Sequence, residues 1–258
     1  MRLFLYEKCF LIIKNCLKAL LYLQLLFLTI IFTGIISSEK AYTTPAPTSV
    51  YLSVILRDFS DVHPDFERTN GVNGFAYGLD PNITLNSLDS NKKPQYKSGS
   101  YSTTTKANFD QWYNNVSGVN KSVNYGITLT DTDGNGSYTY YNSNFFPLDG
   151  MAGFNDRGRS HNYHFTYELH GIFGYKGGET FEFKGDDDVW VYINGKKVID
   201  IGGVHNEITR SVNLDTVASN IGLVPGNNYD FDFFFAERHT TKFNFKIQTT
   251  LDFIQYAD

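Results

Sequence analysis

Three consecutive carboxylates, Asp186, Asp187 and Asp188, stand directly before the apolar run that begins Val189-Trp190. Held in one tight turn they repel one another unless a positive charge lies among them. Hard oxygen ligands of this kind suit Ca²⁺, which takes roughly six to eight oxygens at about 2.3–2.6 Å. A solvated acidic turn capping a hairpin is the plainer alternative. Further on, Gly202-Gly203-Val204-His205 places two glycines beside an imidazole. The pair permits backbone conformations and close approaches that other residues forbid, so a ligand or a metal fits there. His205 serves equally well as a structural hydrogen-bonding group. A second acidic loop, Asp131-Thr132-Asp133-Gly134-Asn135-Gly136, follows the first six positions of an EF-hand loop, but its twelfth position is Asn142. The spacing predicts a β-turn there. His161, His164, His170 and His239 have no spacing that defines a zinc site. No nucleophile–base arrangement, phosphate-cradling loop or separated carboxylate pair stands out. Adjacent aspartates in one turn are badly placed to flank a scissile bond, so the residues point to binding and not to turnover.

The elements that must position these groups are strands. Tyr163, Phe165, Tyr167 and Leu169 alternate with polar residues, Phe181 and Phe183 flank Glu182, and Val189, Val191 and Ile193 interleave with Trp190 and Tyr192. Asn194-Gly195 separates Val189–Ile193 from Lys197–Ile201, the strongest short-range signal for a hairpin. Tyr51–Arg57 predicts a first strand, Ile127–Tyr140 a hairpin around the Asp131 turn, and Tyr229–Phe235 and Phe243–Ile247 the closing strands. Between Asp58 and Asn124 the chain is polar and rich in turn residues, which predicts irregular structure with one short helix over Ala107–Asn114. Many short strands without a long helix predict an all-β sandwich or barrel with long irregular insertions.

Composition agrees. Aromatics make up 16% of the 258 residues, with 18 Tyr and 22 Phe against two Met, a balance suited to rings packing across a pleated surface. Basic residues before Lys18 precede the apolar run Ala19–Ile36 and the small residues Ser37 and Ser38, the pattern of a signal peptide over residues 1–38. If uncleaved, that run just reaches bilayer-spanning length and makes a signal anchor. Either way the remainder is expected to be secreted and extracellular. Residues 39–50 read as a linker, 51–252 as one β domain and 253–258 as a tail. Both cysteines, Cys9 and Cys16, lie in the leader, so the mature domain carries no disulfide. The leader holds four cations and one carboxylate, so its loss takes the net charge from −5 to −8. With no basic cluster left, nucleic acid is an unsuitable partner. Asn82, Asn115, Asn120 and Asn135 each open an N-x-[ST] triplet and are candidate glycosylation sites.

The run GDDDVWVYINGKKVIDIGGVH (Gly185–His205) resembles the central motif of the fibro-slime domain, a branch of the protective-antigen-type sugar-binding fold. The likeness begins at Ile55–Phe59 and His63–Glu67, passes through Phe109–Trp112 and Asn144–Asp149, and ends at Phe235–His239 before Phe243–Thr249. With its leader, the chain looks like the prespore-cell-inducing factor proteins of social amoebae. Those usually continue into a long cysteine-rich region, for which this chain has no counterpart in its mature part. In the related lectins of yeast adhesins, two consecutive aspartates joined by a cis peptide hold Ca²⁺, which grips sugar hydroxyls. The resemblance implies that role for Asp186 and Asp187, with Asp188 beside them. A second loop that selects the sugar corresponds to Glu237–Lys242, where Arg238, His239 and Lys242 are unusual neighbours for a cation. Gly202, Gly203, His205, Glu237, Arg238 and His239 are thus the candidate ligand-binding set. The expected function is a calcium-dependent glycan-recognition module of a differentiation or adhesion factor, with cell-surface or matrix glycans or a cell-surface receptor as partner. The alternative is a structural matrix or coat protein without sugar binding.

Overall fold

Residues 18, 20–22, 47–67, 78–151, 154, 158–239 and 244–254 are described by a computed structural model. The chain divides into two units, residues 1–45 and 46–258. In the first, Lys18 and Leu20–Tyr22 are helical and exposed. The rest of the leader, most of the linker and the last four residues of the tail lie outside the described residues. Among the described residues, no helix is long and apolar enough to cross a membrane.

In the second unit the period-two segments become strands β1 (Ser49–Phe59), β2 (Thr84–Leu88), β3 (Pro94–Tyr96), β4 (Asn120–Thr130), β5 (Tyr138–Asn142), β6 (Phe165–Tyr175) and β7 (Thr180–Gly185). They continue as β8 (Asp188–Ile193), β9 (Lys196–Ile201), β10 (Ile208–Asn213), β11 (Asn227–Glu237), β12 (Phe245–Thr249) and β13 (Asp252–Phe253). Helices are short: α1 (Lys106–Phe109), α2 (Ala218–Ile221) and a 3₁₀ turn at Leu214–Thr216. The strands join in the order β10-β7-β12-β5-β4-β1-β6-β11-β8-β9-β2-β3, with β13 on β6. Neighbours are antiparallel, as in β1–β4, where Leu52 faces Ile127.

Phe183 of β7 lies 5.6 Å from Phe233 of β11, and Tyr167 of β6 lies 5.4 Å from Phe245 of β12, although neither pair of strands is hydrogen-bonded. Rings from distant strands meet because the sheet folds over onto itself and closes the main core between its two layers. The expected all-β sandwich is therefore the fold observed.

The opposite face of β8 and β11 is also covered, at one end. Trp190, Tyr192, Phe234 and Ala236 pack against Phe59, Phe66, Ile83, Phe109, Trp112 and Tyr113, which form a second core. Every residue of β8 is buried as a result. The segment expected to be irregular supplies this cover. It contains β2 and β3, which its turn-rich composition concealed, and its helix is confined to Lys106–Phe109, shorter than the span predicted over Ala107–Asn114. The Asn194-Gly195 turn forms as expected, both residues left-handed at φ 50° and 68°. Asp131 accepts the backbone N–H of Asn135 at 3.1 Å and Gly136 at 2.8 Å, which confirms a turn closed on its own carboxylate.

Candidate functional site

Asp186 and Asp187 form the β7–β8 connection and Asp188 opens β8, and the fold treats the three differently. Asp186 is half-buried, accepts the backbone N–H of Asn244 at 3.2 Å, and has its carboxyl raised by burial. Asp187 is buried and accepts backbone N–H groups from Arg238 at 2.9 Å and His205 at 3.3 Å. Burial pushes its carboxyl well up, against the pull of the Arg238 charge. Asp188 is fully buried; one oxygen accepts from Gly203 N at 2.7 Å and the other from Arg238 Nε at 2.5 Å.

Arg238 organises this end of the domain. It reaches from the end of β11 into the interior, donates from Nη1 to the Ser102 carbonyl at 2.6 Å, and lies 4.9 Å from the Trp112 ring. A guanidinium suits this position because its planar fork meets several acceptors and an aromatic face together. Asp188, expected as a metal ligand, is thus the buried ion-pair partner of Arg238, itself expected in the ligand-binding set.

The glycine pair is also structural. A Cβ on Gly203 would stand 2.3 Å from the Gly78 carbonyl oxygen, one on Gly202 2.6 Å from that of Asp80, and Gly203 has φ +106°. The close approach the sequence foretold is made by the chain at residues 78–80, held by Gly78 N to Val204 O at 2.8 Å and Asp80 N to Gly202 O at 2.6 Å. His205 is buried with Nδ1 2.8 Å from the Asn206 carbonyl and Nε2 3.2 Å from that of Ile201. Both ring nitrogens of His205, expected either as a ligand or as a structural group, thus face backbone carbonyls.

Glu237 is the residue whose importance lies in tertiary structure. It is buried; its Oε1 accepts a long 3.4 Å bond from His239 N, its Oε2 is sealed from solvent with no donor among the described residues, and its carboxyl meets that of Asp187. Burial raises its carboxyl far above the ordinary range, and the facing Asp187 carboxyl raises it further. Two carboxyls in contact are stable with a proton between them or with a cation in place of that proton. The hard oxygens of Asp186, Asp187 and Glu237 fit a divalent cation such as Ca²⁺ in chemistry. Among the described residues, however, no three acidic, His or Cys side chains converge as a preformed metal group. Backbone carbonyls, water or ligand hydroxyls would have to complete the shell. The cis peptide implied for Asp186–Asp187 is absent among the described residues; Asp187 instead turns the chain at φ +54°.

At three of the candidate glycosylation sites the side-chain oxygen is bonded and the residue is exposed. Asn82 accepts from Lys97 Nζ at 2.8 Å, Asn115 from Arg57 Nε at 2.8 Å and Asn135 from Ser137 N at 2.8 Å. Asn120 differs, since its Nδ2 donates to the carbonyls of Gln111 at 2.9 Å and Asn114 at 2.8 Å. A glycan on Asn120 would replace one of those two hydrogens and break one of the bonds.

A PA14 domain model matches residues 154–255, a span that contains Asp186–Asp188, Gly202–His205 and Glu237–His239. Protein psiQ of Dictyostelium discoideum is 41% identical over 189 residues, covering 68% of this chain and 19% of psiQ. Protein psiR of the same organism is 38% identical over 248 residues, covering 90% of this chain and 23% of psiR. For psiC the values are 37% over 223 residues, 80% and 42%. The chain thus spans less than half the length of these relatives. Among solved structures, the PA14 domain of the MpAFP antifreeze protein is 16% identical over 34% of this chain and 43% of its own, with a TM-score of 0.26. The PA14 sugar-binding domain from an RTX adhesin is 13% identical over 36% and 52%, also at 0.26. At such scores the superpositions are too loose to argue from. In sequence, this chain is similar to the psi proteins of Dictyostelium over most of its own length, and its residues 154–255 match the PA14 domain model.

Proposed function

We propose that the chain is a secreted, extracellular carbohydrate-recognition module of a cell-differentiation or adhesion factor, acting by binding and without turnover, and dependent on Ca²⁺. The reading is carried by the buried Glu237 carboxyl, which meets that of Asp187 from the acidic loop and whose Oε2 has no donor among the described residues, within the region that the PA14 domain model matches. A bound cation would supply positive charge there and an electrophilic centre for vicinal sugar hydroxyls. The chain's own contribution is to orient Asp187 through the N–H groups of Arg238 and His205, and to place Asp186 at the half-buried rim. Homology to the psi proteins supports the assignment to a differentiation factor.

A structural matrix or coat role without sugar binding is the second reading. It is favoured by Arg238, which already neutralises Asp188 from inside the fold. Thermal melts in calcium and in chelator, joined to glycan-array binding, separate the two. A ligand present at 100 times its dissociation constant stabilises by about 2.7 kcal/mol, so the recognition reading expects a calcium-raised midpoint and glycan hits that chelator removes. Asp186→Asn with Asp187→Asn should abolish both while leaving the far-ultraviolet circular dichroism of a β protein. Equal melts with and without calcium, and an empty array, would establish the structural role.

A further inference from the structure

Among the described residues, four that are not glycine have left-handed backbone: Glu67, Lys92, Asp187 and Asn194, at φ 46°, 58°, 54° and 50°. Asn194 lies in the β8–β9 turn and Lys92 in the β2–β3 turn, and both turns join strands that pair with each other. Asp187 joins β7 to β8, which are not paired, and Glu67 lies in the segment after β1. These two, far apart in the chain, meet the same residue. Asp187 accepts the Arg238 N–H at 2.9 Å, and the Glu67 N–H donates to the Arg238 carbonyl at 2.8 Å. Left-handed residues other than glycine persist where their surroundings over-determine them, and they gather at functional sites.

The two peptide units that flank the Arg238 Cα serve the two facing carboxyls. The unit before it gives the Arg238 N–H to Asp187, and the unit after it gives the His239 N–H to Glu237 Oε1 at 3.4 Å. The carbonyl of that second unit is the one Glu67 holds. A peptide unit is planar, so restraining its oxygen restrains the direction of its N–H. Glu67 thereby aims the donor that keeps Glu237 against Asp187.

Glu67 is in turn fixed to the sheet. Its Oε2 lies 2.9 Å from His164 Nε2, with side chains 12% and 1% exposed. His164 immediately precedes β6, and its carbonyl accepts from the N–H of Phe59, the last residue of β1, at 2.8 Å. On the chain side, the Phe66 ring stacks on Phe59 with centroids 4.6 Å apart, and the Asp65 carbonyl accepts from Arg238 Nη1 at 3.3 Å. Arg159 closes the outer side, with Nη2 3.9 Å from Glu67 Oε1 and Nη1 donating to Asp61 at 2.8 Å. The connection runs from the paired β1 and β6 through His164 and Glu67 to the peptide behind Glu237.

We propose that Glu67, clamped by His164, is a positioning residue for the acidic-loop cation site, setting the gap between Asp187 and Glu237 that a divalent cation enters. It acts through the 238–239 peptide and not as a ligand. The inference rests on the recognition reading of that loop. Groups that orient metal ligands from behind are worth about 10–100-fold in metal affinity.

The test is calorimetric titration of the full chain with Ca²⁺ alone, well below every melting midpoint, for wild type, Glu67→Gly, Glu67→Asp and Glu67→Gln. Glycine accepts a left-handed φ without strain and keeps the N–H, so it removes the carboxylate clamp. Aspartate keeps the charge but is one carbon too short to reach His164, whereas glutamine loses the charge and keeps the reach. Glu67→Gly and Glu67→Asp should bind Ca²⁺ about 10–100-fold more weakly, with midpoints in chelator near that of wild type, and Glu67→Gln should retain most of the affinity. In chelator, the His239 amide hydrogen should exchange faster in Glu67→Gly than in wild type, a readout that involves no metal. Wild-type affinity in Glu67→Gly overturns the positioning role and leaves the acidic loop standing as a site. The opposite ranking, with Glu67→Asp intact and Glu67→Gln weakened, also overturns it, because charge and not reach would then matter. A wild-type chain that takes up no Ca²⁺ removes the acidic-loop reading, and the role of Glu67 falls with it.

Discussion

Arg238 decides which carboxylates of the Asp186–Asp188 turn are available for chemistry. It saturates Asp188 with a charged bond and holds Asp187 only through backbone, leaving Asp187 opposite Glu237. Removing one partner of a buried ion pair leaves the other charge uncompensated, at a cost of about 3–5 kcal/mol. Arg238→Met should therefore lose that much in denaturant melts, and adding Asp188→Leu should restore a good part of it. A double variant no more stable than Arg238→Met would disprove the pairing's importance. Glu237→Gln tests the other half of the site. It removes one of two facing buried carboxyls without changing shape, so in chelator its thermal midpoint should rise above wild type. Its response to calcium should at the same time disappear.

At the scale of elements, β8 is the fulcrum, since one of its faces looks into the main core and the other into the second core. Trp112, from the cover segment, packs 6.1 Å from Trp190 of β8 and donates from Nε1 to Asp65 at 3.1 Å. Large-to-small changes at such a site cost about 3–5 kcal/mol, so Trp112→Ala should destabilise the domain to that extent and loosen Arg238 with it. The β9–β10 connection depends on the close contact at Gly203. Gly203→Ala forces a Cβ into the backbone of residues 78–80 at an unfavourable φ and should cost at least about 1–3 kcal/mol by chemical denaturation. If it melts like wild type, that contact is not as tight as the structure has it.

For the whole molecule, the network on the outer sheet face sets a pH dependence. Burial works against the charge on Glu168, but hydrogen bonds from His170 and Lys93 with the Arg57 charge take it from 4.5 down to about 2. Burial also opposes the charge on His170, yet bonds to Asp232 and Glu168 raise it from 6.5 to about 9. A depressed acid contributes stability that is complete above 4.5 and lost as pH falls toward 2. A raised histidine contributes stability that is complete below 6.5 and lost as pH rises through 9. The thermal midpoint should therefore fall on the alkaline side between those two values, and His170→Gln should flatten that limb. An unchanged limb in the variant would show that the imidazolium is not its source.

The sequence alone determined the local parts. Alternation marked the strands from Phe165 to Ile201, Asn194-Gly195 set the hairpin, and Asp131–Gly136 announced its turn, because each depends on neighbours along the chain. The same locality made the acidic loop visible as three adjacent aspartates. Tertiary structure decided their roles, since Arg238 lies 50 residues from Asp188 and 136 from Ser102, beyond any spacing rule. It also decided that the polar segment before Asn124 would cover β8. Burial of surfaces distant in sequence made those choices, and no single window of residues contains the surfaces that are buried.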